Sequence, residues 1–294
     1  MNENKENVQQ GLSLDLRLLG ATTIIKVASS NGNRKHGTGF YYINTDLDDS
    51  KMENGWRTVD DIWLITNKHV VFDNHESTSL IFPESLTFAL REVINNKIEW
   101  FFIELDKEEI KKRIKTHQDP ITDVVAIRVD DIIIETQQKF EKEKRALVSF
   151  GNITNLNLPN NSPINIEVTS DIIVASYPML FYDTYNKFPI IKSGIIASMW
   201  GGNFNGNRCF LIDSQLFSGS SGGLVISQPT NFAMIKGMPS HSPEKQYVLL
   251  GVYSGQYHRE VQRQSKDNAL HDADSSFGLG IVWYSNLIPE IINS

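Results

Sequence analysis

The sequence predicts an all-β protein made of two antiparallel β units joined near the middle of the chain. Three observations carry this reading. Short runs patterned as strands recur, at Thr22–Val27, Gly39–Ile43 and Ile62–Thr66. Three Asn-Gly dipeptides, Asn31-Gly32, Asn54-Gly55 and Asn205-Gly206, lie between or just before such runs. Asn-Gly accepts the positive φ angles of a tight hairpin turn, so each marks a strand reversal. Helical periodicity, by contrast, is scarce.

Taken in order, residues 1–20 form an N-terminal segment whose first ten residues are polar and acidic. The segment lacks the apolar core of a secretory signal, and with Met1 in place the chain is expected to be cytoplasmic. Residues 21–150 form the first β unit. Asn31-Gly32 separates its first two strands, Asn54-Gly55 precedes the Ile62 strand, and a surface helix is expected over Asp106–His117. There Asp106 and Glu109 are spaced as a capping box, and Ile110 and Ile114 share one face. Residues 151–164, rich in Asn and Pro, read as a linker. Residues 165–294 form the second unit, in which Asn205-Gly206 separates Ile195–Trp200 from Arg208–Ile212. A short helix starting near Ser285 closes the chain and turns Leu287 and Ile291 inward.

Composition narrows the function. Hydrophobic residues make up 40% of 294, enough for a sizeable core, so disorder is excluded for most of the chain. A net charge of −7 without a basic stripe argues against nucleic acid as partner. No run approaches the ~18 apolar residues of a membrane span, so no membrane partner is expected. The single cysteine, Cys209, cannot build a disulfide framework or a cysteine zinc site and reads as a small buried hydrophobe. Neither an HExxH motif nor a close His pair occurs, so no metal and no cofactor are expected.

Chemistry concentrates in three places. Gly219-Ser220-Ser221-Gly222-Gly223 sets two serines in a backbone free to take unusual dihedrals. Successive N–H groups in such a turn can hold an anion, and a serine there could attack a carbonyl whose oxyanion they stabilise. A serine needs a base, and the base needs an orienting group. Of seven histidines, His36, His75, His117, His241, His258 and His271 lie in polar, loop-like surroundings, whereas His69 ends the apolar run Trp63–Thr66 and is followed by Val70-Val71. Asp123 opens an otherwise apolar strand, Val124–Val129, and a buried carboxylate requires a donor such as an imidazole N–H. The chain order His69, Asp123, Ser221 is one of the known orders of a Ser-His-Asp triad, that of chymotrypsin.

With these residues in hand, the chain resembles the trypsin-like serine peptidases, and among them the bacterial HtrA/Deg-like protease domain. Gly37-Thr38-Gly39-Phe40, Thr66-Asn67-Lys68-His69-Val70-Val71, Asp123-Val124-Val125-Ala126-Ile127, Ser193–Ser198, Gly219–Gly223, Leu250–Gly255 and Gly278–Ile281 with Ser285-Asn286 resemble family motifs in the family's order, spanning Ala21 to Ile292. The resemblance implies two six-stranded antiparallel β-barrels of chymotrypsin-like fold with a C-terminal helix. It implies His69 as general base, Asp123 as its orienter and Ser221 as nucleophile in the cleft. The oxyanion hole would come from the turn Gly219, Ser220 and Ser221, through the N–H groups of Gly219 and Ser221. Substrate would be bound by Gln215, Ser254, Gly255, Gln256 and Gly278, with the 252–256 strand pairing with the substrate backbone.

The chain also departs from the family. Ser220 stands where digestive members carry the acid that pairs with a new N-terminus, so activation by zymogen cleavage is not expected. The chain ends soon after Ile292, so an HtrA-type PDZ domain is not expected. Asn95–Gln118 and Pro229–Gln246 read as insertions. Gln215 occupies the position of the acid in Arg/Lys-specific members, so a neutral or small apolar P1 residue is expected, unless a loop shift brings in Asp213. The glycine-rich turn is expected to rearrange in the absence of substrate. The partner is then a protein or peptide substrate. The alternative is a latent or non-catalytic module of the same fold, working with a regulatory protein partner in a multi-protein stress or defence system.

Overall fold

The structure is a computed structural model, and it describes residues 18–52, 57–75, 77, 79–95, 97–148, 153–235, 238–258 and 276–294. The Asn54-Gly55 turn, His271 and most of the N-terminal segment lie outside the described residues. In the first unit the strands are β1 (Thr22–Ala28), β2 (Arg34–Thr45), β3 (Val59–Thr66), β4 (Ser85–Ile94), β5 (Lys97–Asp106), β6 (Ile114–Thr116), β7 (Val125–Arg128) and β8 (Ala146–Leu147). The second unit holds β9 (Asp171–Ser176), β10 (Ile190–Ile196), β11 (Cys209–Asp213), β12 (Gly223–Ser227), β13 (Thr230–Ile235), β14 (Met238–Gln246), β15 (Leu249–His258) and β16 (Ser276–Tyr284). Its barrel is closed and six-stranded, in the order β10-β11-β16-β15-β12-β9. The first unit is an antiparallel sheet of eight strands, ordered β5-β4-β1-β2-β3-β7-β6 with β8 on β4. The two strands beyond the expected six are accounted for by β6 and β8, of three and two residues, both too short to be read as periodic patterns.

Three apolar cores explain the strand sequences. Ile62 and Leu64 of β3 face the core inside the first unit, while Trp63 and Ile65 face a second core lying between the units. The continuous apolar run of β3 therefore reports burial on both faces. β2 repeats the arrangement with Tyr41 against Phe40 and Tyr42. In the second unit Val225 faces the barrel interior, and Leu224 and Ile226 meet the first unit. The inter-unit core is sealed by the C-terminal helix α4 (Leu287–Ile292), which buries Leu287, Ile288, Ile291 and Ile292.

The remaining helices are α1 (Lys68–Val71), α2 (Lys107–Arg113) and α3 (Asp130–Lys142). The capping box of α2 is present as expected, with the Asp106 carboxylate accepting from the Glu109 N–H at 2.9 Å. The helix stops at Arg113 rather than His117, because Ile114–Thr116 pair with β7. α3 was not anticipated. Three consecutive isoleucines, Ile132–Ile134, hide its period, yet Ile133, Thr136 and Phe140 face inward at helical spacing. The Asn-rich linker is built into the fold: Ile153 is buried, and Asn155 Nδ2 donates to Thr45 O at 2.7 Å. Asn205 and Gly206 both have positive φ, as a tight reversal requires. The Pro229–Gln246 insertion is the separate ribbon β13–β14.

Candidate active site

β3 carries the chain to Thr66, and Asn67 then starts the one-turn helix α1, whose Val70 and Val71 are pinned in the first core. This leaves the His69 ring at the cleft, 30% exposed. Lys68 beside it is buried, with its ammonium on Pro120 O at 2.9 Å. Burial holds that ammonium below its usual pKa, opposed by Asp123 and Asp119. From the other side, Lys35 Nζ donates to the His69 carbonyl at 3.0 Å and pairs with Asp73 at 2.9 Å.

Asp123 lies just ahead of β7 and is buried. Its Oδ2 is 2.7 Å from His69 Nδ1 and accepts from Ser254 Oγ at 2.6 Å; its Oδ1 accepts from the His69 backbone N–H at 2.9 Å. An ionised carboxylate only accepts, so this contact puts the imidazole proton on Nδ1 and leaves Nε2 as the free base. Asn67 is the joint of the site. Its Nδ2 donates to the Asp123 carbonyl at 2.7 Å, and its Oδ1 accepts from the Gly222 N–H.

The serine turn sits against both units. Thr38 N donates to Ser221 O at 2.8 Å, and Thr38 Oγ1 donates to Gly219 O at 2.9 Å. Gly222 has φ +83, and a Cβ there would lie 1.9 Å from Thr38 O, so no side chain fits. The Ser218 carbonyl is held by Met179 N at 2.7 Å and the Ser220 carbonyl by Gly223 N at 2.9 Å. In a trans peptide the N–H points opposite to the C=O. The Gly219 and Ser221 N–H groups therefore face away from these anchors, and neither has an acceptor among the described residues. The Ser220 N–H is committed to Phe217 O at 3.0 Å, which removes Ser220 from the set of oxyanion donors. Its side chain is fully buried and bonded to Ser176 Oγ at 3.1 Å, a neutral pair where digestive members keep an acid.

The Ser221 hydroxyl is engaged by β15. Its Oγ donates to the Ser254 carbonyl at 2.7 Å, and among the described residues no hydrogen bond joins Ser221 to His69. Ser254 thus touches both halves of the site, through its hydroxyl on Asp123 and its carbonyl under Ser221.

A pocket of about 330 Å³ opens beside Ser221, lined by Leu216, Phe217, Ser218, Tyr253, Gly255 and Gln256. Gly255 and Gln256, two of the residues expected to bind substrate, are in this lining. Gln215 is not: it is exposed and its neighbour Leu216 takes the wall. Asp213 is exposed at the end of β11 and Gly278 lies on β16, and neither lines the pocket. β12 ends its pairing at Gly223–Tyr253, whereas β16 continues along Gly255 and Gln256. Residues 254–256 thus keep one edge without a strand among the described residues.

Three positions escaped the sequence reading. Asn67 and Thr38 were legible only as motif letters, and their bonds across the cleft needed the fold. His36, grouped with loop histidines, lies in β2, its Cδ2 3.1 Å from the Cβ that Gly219 lacks. Cys209 is buried as expected, and burial pushes its thiol up to about 11. Among the described residues no cluster of three His, Cys, Asp or Glu could hold a metal, and no helix is long and apolar enough to cross a membrane.

Among solved structures the chain is similar to the HtrA-type protease AlgW with tripeptide, at 12% identity and TM-score 0.49, covering 95% of this chain and 61% of that one. It is similar to the protease Anisep from Arthrobacter nicotinovorans, at 12% identity and TM-score 0.49, covering 94% and 95%. It is also similar to the active form of the Rv3671c protease from M. tuberculosis, at 14% identity and TM-score 0.41, covering 94% and 81%. The chain spans about three-fifths of the AlgW chain. No curated protein matches the sequence. A family model, the trypsin-like peptidase domain, matches residues 37–234, more than half of the chain. With that match added to the two-unit fold and the His69–Asp123 geometry, the chain belongs to the trypsin-like peptidase family.

Proposed function

We propose that the chain is a serine endopeptidase that cleaves protein or peptide substrates through His69, Asp123 and Ser221. The observation that carries this is the Asp123 carboxylate, buried and gripped by His69 Nδ1, the His69 N–H and Ser254 Oγ. That arrangement presents Nε2 as a base toward the serine turn and stabilises the imidazolium once it forms. A substrate strand pairs with the open edge at 254–256, and its P1 N–H takes the Ser254 carbonyl that Ser221 now occupies. Released, Ser221 Oγ rotates to His69 Nε2, gives up its proton and attacks the scissile carbonyl carbon. The oxyanion falls to the N–H groups of Gly219 and Ser221, each such donor being worth about 2.7–4 kcal/mol in other enzymes. His69 then protonates the leaving amine, and water, deprotonated by the same imidazole, hydrolyses the acyl-enzyme. The test is release of fragments from fluorescein-labelled casein: wild type releases them and Ser221→Ala does not. Equal release by both proteins would refute the assignment.

The Ser221–Ser254 bond supports a second reading, in which the site is latent until a regulatory protein partner frees the hydroxyl. Casein cleavage that begins only on addition of cell lysate, and that Ser221→Ala abolishes, would favour it.

A further inference from the structure

Arg91 of β4 is a buried cation, 3% exposed, and no carboxylate pairs with it among the described residues. Its guanidinium goes to neutral acceptors instead. Nε donates to Lys187 O at 2.9 Å, Nη1 to Gly20 O at 3.3 Å, and Nη2 to Thr22 O at 2.9 Å and to the Tyr177 hydroxyl. The rings of Trp100 and Phe188 lie 4.7 and 5.3 Å from Cζ. Burying a charge without a counter-ion is costly, and only a fork of five donors satisfies so many oxygens at once. Gly20 and Thr22 belong to the first unit, whereas Tyr177 and Lys187 bracket the segment 177–188 of the second. That segment abuts the serine turn. Tyr177 N donates to Thr38 Oγ1 at 2.9 Å, and the same hydroxyl donates to Gly219 O at 2.9 Å. Two residues on, Met179 N donates at 2.7 Å to Ser218 O, the carbonyl of the peptide that carries the Gly219 N–H. The direction of that N–H is thus set by where Met179 stands. Met179 and Leu180 have left-handed backbone, φ +48 and +57, which residues with side chains keep only where their surroundings enforce it. The side chains of Met179 and Phe181 do not supply that hold, being 65% and 66% exposed. Tyr177 does: it is fully buried, with its hydroxyl on Arg91.

We propose that Arg91 is a positioning residue for the reaction, which fixes the Gly219 N–H as an oxyanion donor by holding Tyr177 and, through it, Met179. This rests on the endopeptidase reading and adds to it a residue that hydrogen-bonds neither to the triad nor to the serine turn. The Gly219 N–H meets charge that develops only as Ser221 attacks, so its support acts on the transition state. Loss of Arg91 should therefore fall on kcat. It should leave KM, and the acid limb of kcat/KM that reports His69, where they are. Removing an oxyanion donor outright costs about 10²–10³ in kcat, and loosening one should cost about 10- to 100-fold. Tyr177→Phe, which deletes one hydroxyl, should cost about three- to tenfold. Arg91→Lys keeps the charge without the fork and should recover only part of the loss.

The experiment uses the full chain and a quenched-fluorescence peptide built on a casein site that the wild type cuts. The parameters kcat and KM and the pH profile are measured for wild type, Arg91→Met, Arg91→Lys, Tyr177→Phe and Ser221→Ala, with folding checked by circular dichroism. The expected result is a kcat that falls in Arg91→Met by about 10- to 100-fold and less in the lysine and phenylalanine variants, with KM within about twofold and the acid limb unmoved. A folded Arg91→Met with wild-type kcat would overturn the inference, as would a loss in which KM or the acid limb moves with kcat. In either case an inactive Ser221→Ala leaves the endopeptidase reading intact. Should Arg91→Met fail to fold, Tyr177→Phe decides: a lower kcat at unchanged KM and acid limb supports the inference, and a wild-type kcat overturns it. Absence of cleavage by folded wild type, or equal cleavage by Ser221→Ala, would remove the endopeptidase reading, and this inference with it.

Discussion

The two halves of the site differ in how finished they are. On the first unit, His69 and Asp123 are already in contact at 2.7 Å, and Lys35, Asn67 and, from the second unit, Ser254 hold them through three further hydrogen bonds. On the second unit, the backbone around Ser221 is equally fixed, but the hydroxyl rests on Ser254 O instead of the imidazole. A carboxylate and an imidazole attract each other with or without substrate, so their contact forms on folding. A neutral hydroxyl takes whichever acceptor is nearest, and a substrate strand can remove that acceptor. The contrast teaches that the His69–Asp123 half is preorganised by electrostatics, while on the proposed reading the Ser221 half is set by a competition between Ser221 and the substrate for one carbonyl.

The largest effects should come from breaking each half in turn. Ser221→Ala and His69→Ala should each lower kcat on a cleavable peptide by about 10⁶-fold, and the double variant should be no worse than either alone. A further loss in the double variant would mean that the two do not act as one unit. Asp123→Asn should cost about 10⁴-fold in kcat with the fold intact, because an amide can hold the imidazole in the wrong tautomer; a small loss, with circular dichroism unchanged, would deny Asp123 its orienting role.

Smaller effects should sharpen the comparison. Asn67 spans the halves, so Asn67→Ala should remove two hydrogen bonds, leaving the Gly222 N–H to Tyr253 O and the Asp123 carbonyl to the Lys68 N–H alone, lower stability by about 1–3 kcal/mol and reduce kcat together with it. A variant as stable as wild type in urea titration would show that the joint carries no energy. The smallest effect lies away from the cleft, where Glu290 of α4 meets Arg208 and His117. Chiefly its bond to Arg208, and next that to His117, hold its carboxyl below the usual carboxylate range, against burial. A depressed folded pKa stabilises above the unfolded value and loses that contribution as the pH falls through the folded one. Because the side chain is 45% exposed, the contribution is about 1 kcal/mol or less. Glu290→Gln should therefore lower Tm by roughly 2–4 °C or less at pH 7, with the difference closing in acid. A difference that widened in acid would contradict the sign.

The site was more legible in the sequence than parts of the fold around it. His69, Asp123 and Ser221 each stand at the edge of an apolar run or glycine turn, and a polar residue in such a place needs a partner. The closed six-stranded form of the second unit came from the family motifs, since its strand patterning alone announces only antiparallel strands. α3 was not legible, because the three consecutive isoleucines Ile132–Ile134 mask the inward spacing of Ile133, Thr136 and Phe140. The Asp130 and Asp131 start and the Lys139 and Lys142 end were the signal to read, as charges placed to suit a helix dipole. Gln215 was misplaced by one residue because a pocket wall depends on how a loop turns, which no periodicity encodes. The parked hydroxyl of Ser221 was beyond sequence altogether: it depends on which of two acceptors lies closer in three dimensions.

The most direct measurement is the site and rate of fluorophosphonate labelling, read by intact mass and peptide mapping, for wild type, Ser221→Ala and His69→Ala. One adduct, on Ser221, formed in wild type and in neither variant, is the predicted result. An adduct on another residue, or labelling of Ser221 that survives His69→Ala, would contradict the assignment of His69 as the base that activates Ser221.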